Sequence, residues 1–267
     1  MLSDNQRTLS PLTGFDDSLQ YQVANLQGLG RRQRQEDSFT LANALSREQY
    51  LKSGLMICVC DGMGGMKDGK VASETAIASL RRTFSALDLS GNIGRQLGNG
   101  LYAASDEVLS ILGGGGGSTA VFCVFYQDKL YFSSAGDSFL YLYRGGRLIR
   151  LNVEHNLCNQ RYLENIRDGE LDINGPREDA EAQALTSFLG MDGELTVDYS
   201  AHPIPLRRGD IVLACSDGVG GVLGEGALLT MLEGGNVQEI AKDIDEAIQT
   251  IQKPNQDNYT ALLVSCY

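Results

Sequence analysis

Short apolar runs, separated by glycine and polar turns, account for much of the chain. Runs of this length bounded by turn residues predict strands, here at 21–30, 37–41, 55–60, 210–215 and 259–266. Between residues 118 and 151, four aromatic and β-branched runs with short turns between them predict an antiparallel meander. Such a meander argues against the doubly wound nucleotide-binding sheet, whose parallel strands need crossover helices.

Apolar residues at spacings of three and four predict helices at 71–87, 92–112 and 237–251. In the last of these, Ile240, Ile244, Ile248 and Ile251 share one face. The charged, irregular segment 156–184 is expected to form a flap. The pattern therefore predicts a domain that combines antiparallel strands with helices.

Length and composition narrow the class of protein. No linker divides the 267 residues, so we expect one domain over 21–267, preceded by a polar N-terminal arm at 1–20. The longest apolar runs fall far short of the roughly 18–20 residues that span a bilayer. We therefore expect no membrane insertion.

Charge and cysteine usage indicate the compartment and exclude some partners. The formal net charge of -12 repels nucleic acid unless bound cations change the local field. Six cysteines, three of them within apolar runs, favour buried thiols in a reducing compartment, so the cytoplasm is expected. Only two histidines are available, and neither lies at zinc-ligand spacing from a cysteine pair.

The stretch DGMGGMKDGK at 61–70 admits two interpretations. Its G-x-x-x-x-G-K spacing is that of a phosphate-binding loop, whereas Asp61 at the end of a strand followed by glycine is typical of a metal site. Val71 stands where the nucleotide loop needs Ser or Thr, and Asp68 brings a negative charge to it. The metal interpretation is therefore favoured, and Lys70 is expected to be a solvated residue at a helix start.

Acidic residues of similar local design recur along the chain. Each lies beside a strand end among small or polar neighbours: Glu36, Asp37, Asp61, Asp217 and Asp257. Carboxylates that converge from distant segments suit Mg2+ or Mn2+, which prefer oxygen ligands. Taken alone, any one Asp-Gly pair is more simply a surface turn. Several such pairs in one chain favour a metal site.

An ordered set of motifs covers nearly everything from residue 25 to the C-terminus. The motifs are R-x-x-Q-E-D at 32–37, DGMGG at 61–65, GSTA at 117–120, AGDS at 135–138, EHN at 154–156, GDIVLACSDGV at 209–219 and DNYT at 257–260. Together they resemble the metal-dependent protein phosphatases, the type 2C serine/threonine phosphatases, and most closely their bacterial branch. The resemblance implies an α+β fold, a four-layer α/β/β/α sandwich with two central antiparallel sheets flanked by helices.

The resemblance also implies a pair of Mn2+ or Mg2+ ions. Asp61 would bridge the two ions. Asp217 and Asp257 would complete one site, and the Gly62 carbonyl would help to form the other.

Three further acidic residues have implied roles at the ions. Glu36 and Asp37 would bind the second ion directly or through water. Asp137 would join Asp217 at a weaker third metal site.

Arg32 would hold the substrate phosphate, with Arg31 and Arg34 as competing choices. The sequence departs from the family pattern at two positions. Met63 replaces the histidine proposed to protonate the leaving oxygen in many eukaryotic members, and a thioether cannot donate a proton. Gln35 replaces the usual asparagine, which leaves the charges in place.

The implied activity is hydrolysis of phosphoserine or phosphothreonine in a protein, by direct attack of a water that bridges the two ions, with Arg32 and Asp61 as catalytic residues. The implied partners are a phosphorylated protein and an opposing serine/threonine kinase, and the protein is expected to be a monomer. The alternative is a pseudophosphatase that binds a phosphoprotein without cleaving it. Because every acidic position of the metal set is present, the enzyme is favoured.

Overall fold

The computed structural model describes residues 18–63, 68–170, 172, 174–251 and 253–267. The strands are β1 (Tyr21–Gly28), β2 (Ser38–Ala42), β3 (Leu55–Cys60), β4 (Ala120–Tyr126), β5 (Lys129–Ala135), β6 (Phe139–Arg144), β7 (Arg147–Arg150), β8 (Asp198–Tyr199), β9 (Ile204–Pro205), β10 (Ile211–Cys215) and β11 (Tyr259–Cys266). The helices are α1 (Arg47–Ser53), α2 (Gly69–Ser85), α3 (Ile93–Leu112), α4 (Leu157–Asp168), α5 (Gly175–Glu178), α6 (Asp217–Leu232) and α7 (Val237–Ile251). Each predicted strand and helix is present, with its ends shifted by no more than two residues.

The strands form two antiparallel sheets. The first has the order β1-β11-β10-β6-β7, and the second has the order β2-β3-β4-β5-β8, with β9 also pairing with β5. One apolar core fills the space between the sheets, where Leu55, Phe125 and Leu262 are fully buried. The four-layer α/β/β/α sandwich implied by the sequence is confirmed.

Helices cover the outer face of each sheet. Helices α6 and α7 pack on the first sheet, where Ile240, Ile244 and Ile248 line the inward face of α7. Helices α2 and α3 pack on the second sheet through residues that include Leu80 and Leu101. Strands such as β3 are therefore buried on both faces, which explains their continuous apolar sequence.

The predicted meander is divided between the two sheets. Strands β4 and β5 pair in the second sheet, whereas β6 and β7 pair in the first. The chain crosses from one sheet to the other at the Gly136–Asp137 turn, where Gly136 has a φ of +98°. The aromatic and β-branched runs and their turns identified the four strands correctly, but they carry no information on which sheet each strand joins.

Helix α6 was not predicted from the sequence. Five glycines lie within it, and at Gly224 a φ of 72° interrupts the helical backbone. Glycine is a weak helix former, so the glycine-rich sequence of this segment gave no indication of a helix. As a result Asp217 is the first residue of a helix, where the exposed N–H groups favour a negative charge.

The proposed flap contains helices α4 and α5, and residues 171 and 173 of that segment lie outside the described residues. Residues 1–17 of the predicted N-terminal arm also lie outside them. Throughout the described part of the chain, no helix is both long enough and apolar enough to cross a membrane.

Replacing Gly94 with alanine tests how closely α3 packs. A Cβ at this position would lie 2.0 Å from the Ser200 carbonyl oxygen, so we expect Gly94→Ala to destabilise the fold by about 1–3 kcal/mol. The control is Gly226→Ala, because a Cβ there meets no atom within 4 Å. Urea unfolding should show loss of stability in the first variant only, and equal midpoints would contradict this packing.

Candidate active site

Strand ends from both sheets meet at one edge of the sandwich. In the second sheet, Ser38 of β2 pairs with Cys60 of β3, so Asp37 and Asp61 extend from the same end. In the first sheet, Cys215 of β10 pairs with Ala261 of β11. This register brings the segments that carry Asp217 and Asp257 to one edge.

Asp61 lies among the other acidic side chains. Desolvation raises its pKa well above the usual value, and the charges of Asp37, Asp217, Asp137 and Asp257 raise it further. Four of the predicted metal ligands therefore lie near Asp61. Asp37 is fully buried, whereas the other four residues keep part of their surface accessible, so the cluster opens to solvent.

Asp37 has too few hydrogen-bond donors for a buried carboxylate. Ser216 donates to its Oδ2 at 2.9 Å, but Oδ1 is buried and has no partner in the described part of the chain. Desolvation raises the pKa of Asp37 to about 6, although the neighbouring Thr260, Ser216 and Asp61 side chains act to lower it. A bound cation would supply a positive charge that stabilises the ionised Asp37 carboxylate.

Burial and neighbouring negative charges also disfavour the charged forms of Asp217 and Asp137. Oδ1 of Asp217 is buried and finds no hydrogen-bond partner among the described residues. Desolvation and the charge of Asp257 raise the pKa of Asp217. Desolvation and the charge of Asp217 raise the pKa of Asp137 to about 7. Unpaired buried oxygens and crowded carboxylates together form a donor set that fits hard divalent cations.

The cluster is not a closed coordination sphere. Within the described ranges, no three His, Cys, Asp or Glu side chains are gathered closely enough to form a ready metal-binding group. Mg2+ usually keeps several water ligands and binds through few carboxylates. An open arrangement of carboxylates is therefore compatible with such an ion.

The backbones of Glu36 and Gly62 lie close together. A Cβ on Gly62 would lie 2.6 Å from the Glu36 carbonyl oxygen and 2.2 Å from that of Gly69. The glycine after Asp61 therefore permits close packing of three backbone segments, a role that its sequence pattern did not reveal. Residues 64–67, the centre of the possible nucleotide loop, lie outside the described residues.

Several small hydroxyl residues support the cluster, and the sequence interpretation gave them no role. Thr119 Oγ1 accepts a hydrogen bond from the Asp61 backbone N–H at 3.1 Å and lies 2.7 Å from Ser138 Oγ. Ser118 Oγ donates to the Asp61 carbonyl oxygen at 3.0 Å. These residues belong to the GSTA and AGDS motifs, so the motifs could have identified them as supports.

Lys70 is not simply the solvated residue that the sequence predicted. Its ammonium donates to the Asp37 carbonyl oxygen and to Ser38 Oγ, both at 3.0 Å. Ser73 Oγ, one turn further along α2, donates to the Glu36 carbonyl oxygen at 2.5 Å. The first turn of α2 thus contacts the backbone of the Glu36–Asp37 pair.

Arg32 reaches the acidic cluster from the loop between β1 and β2. Its guanidinium donates to Asp257 Oδ2 at 2.6 Å, and the two side chains are 50% and 40% exposed. An exposed ion pair of this kind contributes little stability, so Arg32 can exchange this partner at low cost. Arg31 and Arg34, its competitors for the phosphate, are also exposed on this loop.

The six cysteines are all free and buried, as predicted. His155 is also structural. Its Nδ1 accepts a hydrogen bond from the Gly136 N–H at 3.1 Å, which supports the turn that carries Asp137.

The sequence of this chain is similar to those of bacterial protein phosphatases. The chain is 28% identical over 225 residues to "Serine/threonine phosphatase stp" of Listeria innocua, covering 78% of this chain and 83% of the relative. It is 25% identical over 224 residues to "Protein phosphatase PhpP" of Streptococcus pneumoniae, covering 79% and 85%.

Solved structures share the fold. PppA of Pseudomonas aeruginosa superposes with a TM-score of 0.75 at 25% identity, over 94% of this chain and 100% of that one. The catalytic domain of the phosphatase PstP, solved in complex with two manganese ions, gives a TM-score of 0.69 at 23% identity, over 93% and 98%. The model of the family described as "Protein phosphatase 2C" matches residues 21–175. Since that match covers more than half of the 267 residues, the chain belongs to the protein phosphatase 2C family.

Proposed function

We propose that this protein is a metal-dependent serine/threonine phosphatase that hydrolyses phosphoserine and phosphothreonine in proteins. The observation that carries the proposal is the cluster of carboxylates around Asp61, which opens to solvent and in which Oδ1 of Asp37 and Oδ1 of Asp217 are buried without a hydrogen-bond partner among the described residues. Family membership supports the same activity. A pseudophosphatase would be expected to lose a metal ligand, whereas this chain keeps all the acidic positions.

The predicted ligands divide into two groups around Asp61. Asp217 and Asp257 would hold one cation with Asp61, and Glu36, Asp37 and the Gly62 carbonyl would hold the other. Asp137 would contribute with Asp217 to a weaker third site. When bound, Mn2+ or Mg2+ ions supply Lewis acidity, which generates a nucleophile from water at neutral pH.

Arg32 would bind the phosphate of the substrate. A guanidinium can donate two parallel hydrogen bonds to phosphate oxygens, and Arg32 can leave Asp257 because that ion pair is exposed. Its charge would stabilise the negative charge that develops as a water oxygen bonds to phosphorus and the bond to the serine or threonine oxygen breaks. Met63 has no proton to give, so the leaving oxygen takes its proton from another group.

The substrate would be a phosphorylated protein, and a serine/threonine kinase would catalyse the opposing reaction. Free buried thiols suit a reducing compartment, so we place the protein in the cytoplasm. We also expect it to act as a monomer.

Removal of one predicted ligand tests the activity. We expect Asp217→Asn to lower hydrolysis of a phosphothreonine peptide and of p-nitrophenyl phosphate by at least about 100-fold, since even indirect supports of a metal cost 10- to 100-fold. Chelation of Mn2+ should abolish the wild-type activity. The matched control is Asp243→Asn, an exposed position on α7, which should keep full activity. A folded, metal-loaded protein that binds the phosphopeptide but cleaves neither substrate would instead be a binding protein.

The phosphate-binding arginine can be identified among three neighbours. Because a hydrogen bond to a charged group is worth about 1.5–3 kcal/mol, we expect Arg32→Ala to lower kcat/KM for the phosphopeptide about 10- to 100-fold. Arg34→Ala and Arg31→Ala are the matched variants, and they should stay within about threefold of wild type. If either variant shows the larger loss, the phosphate contact belongs to that residue.

Metal binding should release protons in a pH-dependent way. The pKa values of about 6 for Asp37 and about 7 for Asp137 mean that the metal-free protein holds protons near pH 6 that a cation must displace. Calorimetry of Mn2+ binding in buffers of different ionisation enthalpy should detect more proton release near pH 6 than near about pH 8.5. Equal release at the two pH values would contradict the crowding of these carboxylates.

The same shifts affect stability without metal. The folded, metal-free protein binds more protons than the unfolded chain between about pH 4 and pH 7, because the folded-state pKa values are raised. These groups therefore lower its stability as the pH rises through that range, and saturating Mn2+ should remove this decline.

A further inference from the structure

We propose that Asn258 is a positioning residue, which holds the segment 29–36 so that Arg32 faces the acidic cluster. The functional part of this inference rests on the proposed phosphatase activity. The structural part, the attachment of the segment to the start of β11, can be measured without any catalysis.

The side-chain amide of Asn258 contacts both ends of the segment. Its Nδ2 donates to the Leu29 and Arg34 carbonyl oxygens, both at 3.0 Å, and its Oδ1 accepts from the Glu36 N–H at 2.8 Å. The residue is 3% exposed. An asparagine amide offers two N–H donors and one carbonyl acceptor, and here all three groups bond to the same segment.

The direction of these bonds fixes the orientation of the amide. If the oxygen and nitrogen of Asn258 exchanged places, the oxygen would lie against two carbonyl oxygens and the NH2 group would face the Glu36 N–H. Both arrangements would be repulsive. The backbone of the segment therefore requires an asparagine at this position and not a carboxylate of the same shape.

Few other forces hold residues 29–34 of the segment in place. Residues 29–34 are exposed, so they gain little from apolar burial. The backbone N–H of Arg31 donates to the Gln256 carbonyl oxygen at 2.8 Å. Gly30 has a φ of 60°, and a Cβ there would lie 2.2 Å from the Asp257 carbonyl oxygen. The segment thus lies directly on residues 256–258, and Asn258 makes the largest share of its side-chain bonds to them.

Asn258 also connects the segment to a predicted metal ligand. Its backbone N–H donates to Asp257 Oδ1 at 2.8 Å, and the other oxygen of Asp257 accepts from Arg32. The side chain of Asn258 therefore holds the loop that carries Arg32, and its backbone N–H orients the Asp257 carboxylate that Arg32 contacts. Because a misplacement of about 1 Å can reduce catalysis by about 100-fold, loss of the three side-chain bonds should lower kcat/KM by displacing Arg32.

The first test is hydrogen exchange of the metal-free protein. In Asn258→Ala, peptides that cover 29–36 should exchange at least about fivefold faster, since each lost hydrogen bond to a buried group costs about 1–3 kcal/mol. The matched control is Asn152→Ala. Asn152 is 5% exposed, and its amide makes hydrogen bonds to Leu140, Ser138, Ser134 and Arg150. That control should leave exchange of 29–36 unchanged.

The second test is a double-mutant cycle with Arg32→Ala in the Mn2+-loaded protein. Asn258→Ala should lower kcat/KM about 10- to 100-fold in the wild-type background, but less than about threefold when Arg32 is already alanine. For Asn152→Ala, the effects should multiply within about a factor of two, as expected for independent sites. If Asn258 had only a structural role, the effects of Asn258→Ala and Arg32→Ala would multiply in the same way.

Each outcome decides a separate point. Unchanged exchange of 29–36 in folded Asn258→Ala would overturn the proposed attachment, and multiplying effects with Arg32→Ala would overturn the positioning role. If the wild type had no phosphatase activity, the proposed function would fail while the exchange result still tested the attachment. If Asn258→Ala does not fold, Asn258→Ser serves in its place, because a hydroxyl is too short to bond to all three partners.

Discussion

The burial of several carboxylates beside one another is the constraint on which the active site depends. Asp37, Asp61, Asp137 and Asp217 all have raised pKa values, and in each case desolvation is the first cause. A fold that gathers such groups without a compensating cation sacrifices stability, because buried charges are costly when unpaired. The rest of the sandwich supplies the rigidity that keeps these groups together: two sheets, a continuous core and helices on both outer faces. The free energy that packing of the core contributes to folding therefore offsets the free-energy cost of burying these carboxylates.

The residues around the carboxylates act mainly on backbone groups. Ser118 and Thr119 hold the backbone of Asp61, Lys70 and Ser73 hold that of Glu36 and Asp37, and Asn258 holds the loop that follows β1. Holding the backbone leaves the carboxylate oxygens available for cations and water. This division explains why so many small polar residues lie buried beside the site, where an unpaired polar group would be costly.

Much of this could be predicted from the sequence. Bounded apolar runs located the long strands, helical spacing located α2, α3 and α7, and the motifs with their order identified the acidic residues that the structure brings to one edge. Helix α6 was missed because its glycines hide the periodicity, and the division of the meander was missed because a run of strand-forming residues does not specify a sheet. The supporting contacts of Lys70 and Asn258 were also missed, since hydrogen bonds between residues far apart in sequence leave no local pattern.

The crossing of the chain at Gly136–Asp137 places the acidic cluster where the two sheets meet. Asp37 and Asp61 extend from the second sheet, whereas Asp217 and Asp257 extend from the first. Cations shared by these residues would crosslink the two halves of the sandwich. Any substitution in the core that shifts one sheet relative to the other would then change the affinity for metal, even at a distance from the carboxylates. In such a molecule, the metal affinity reports on the packing of the whole core.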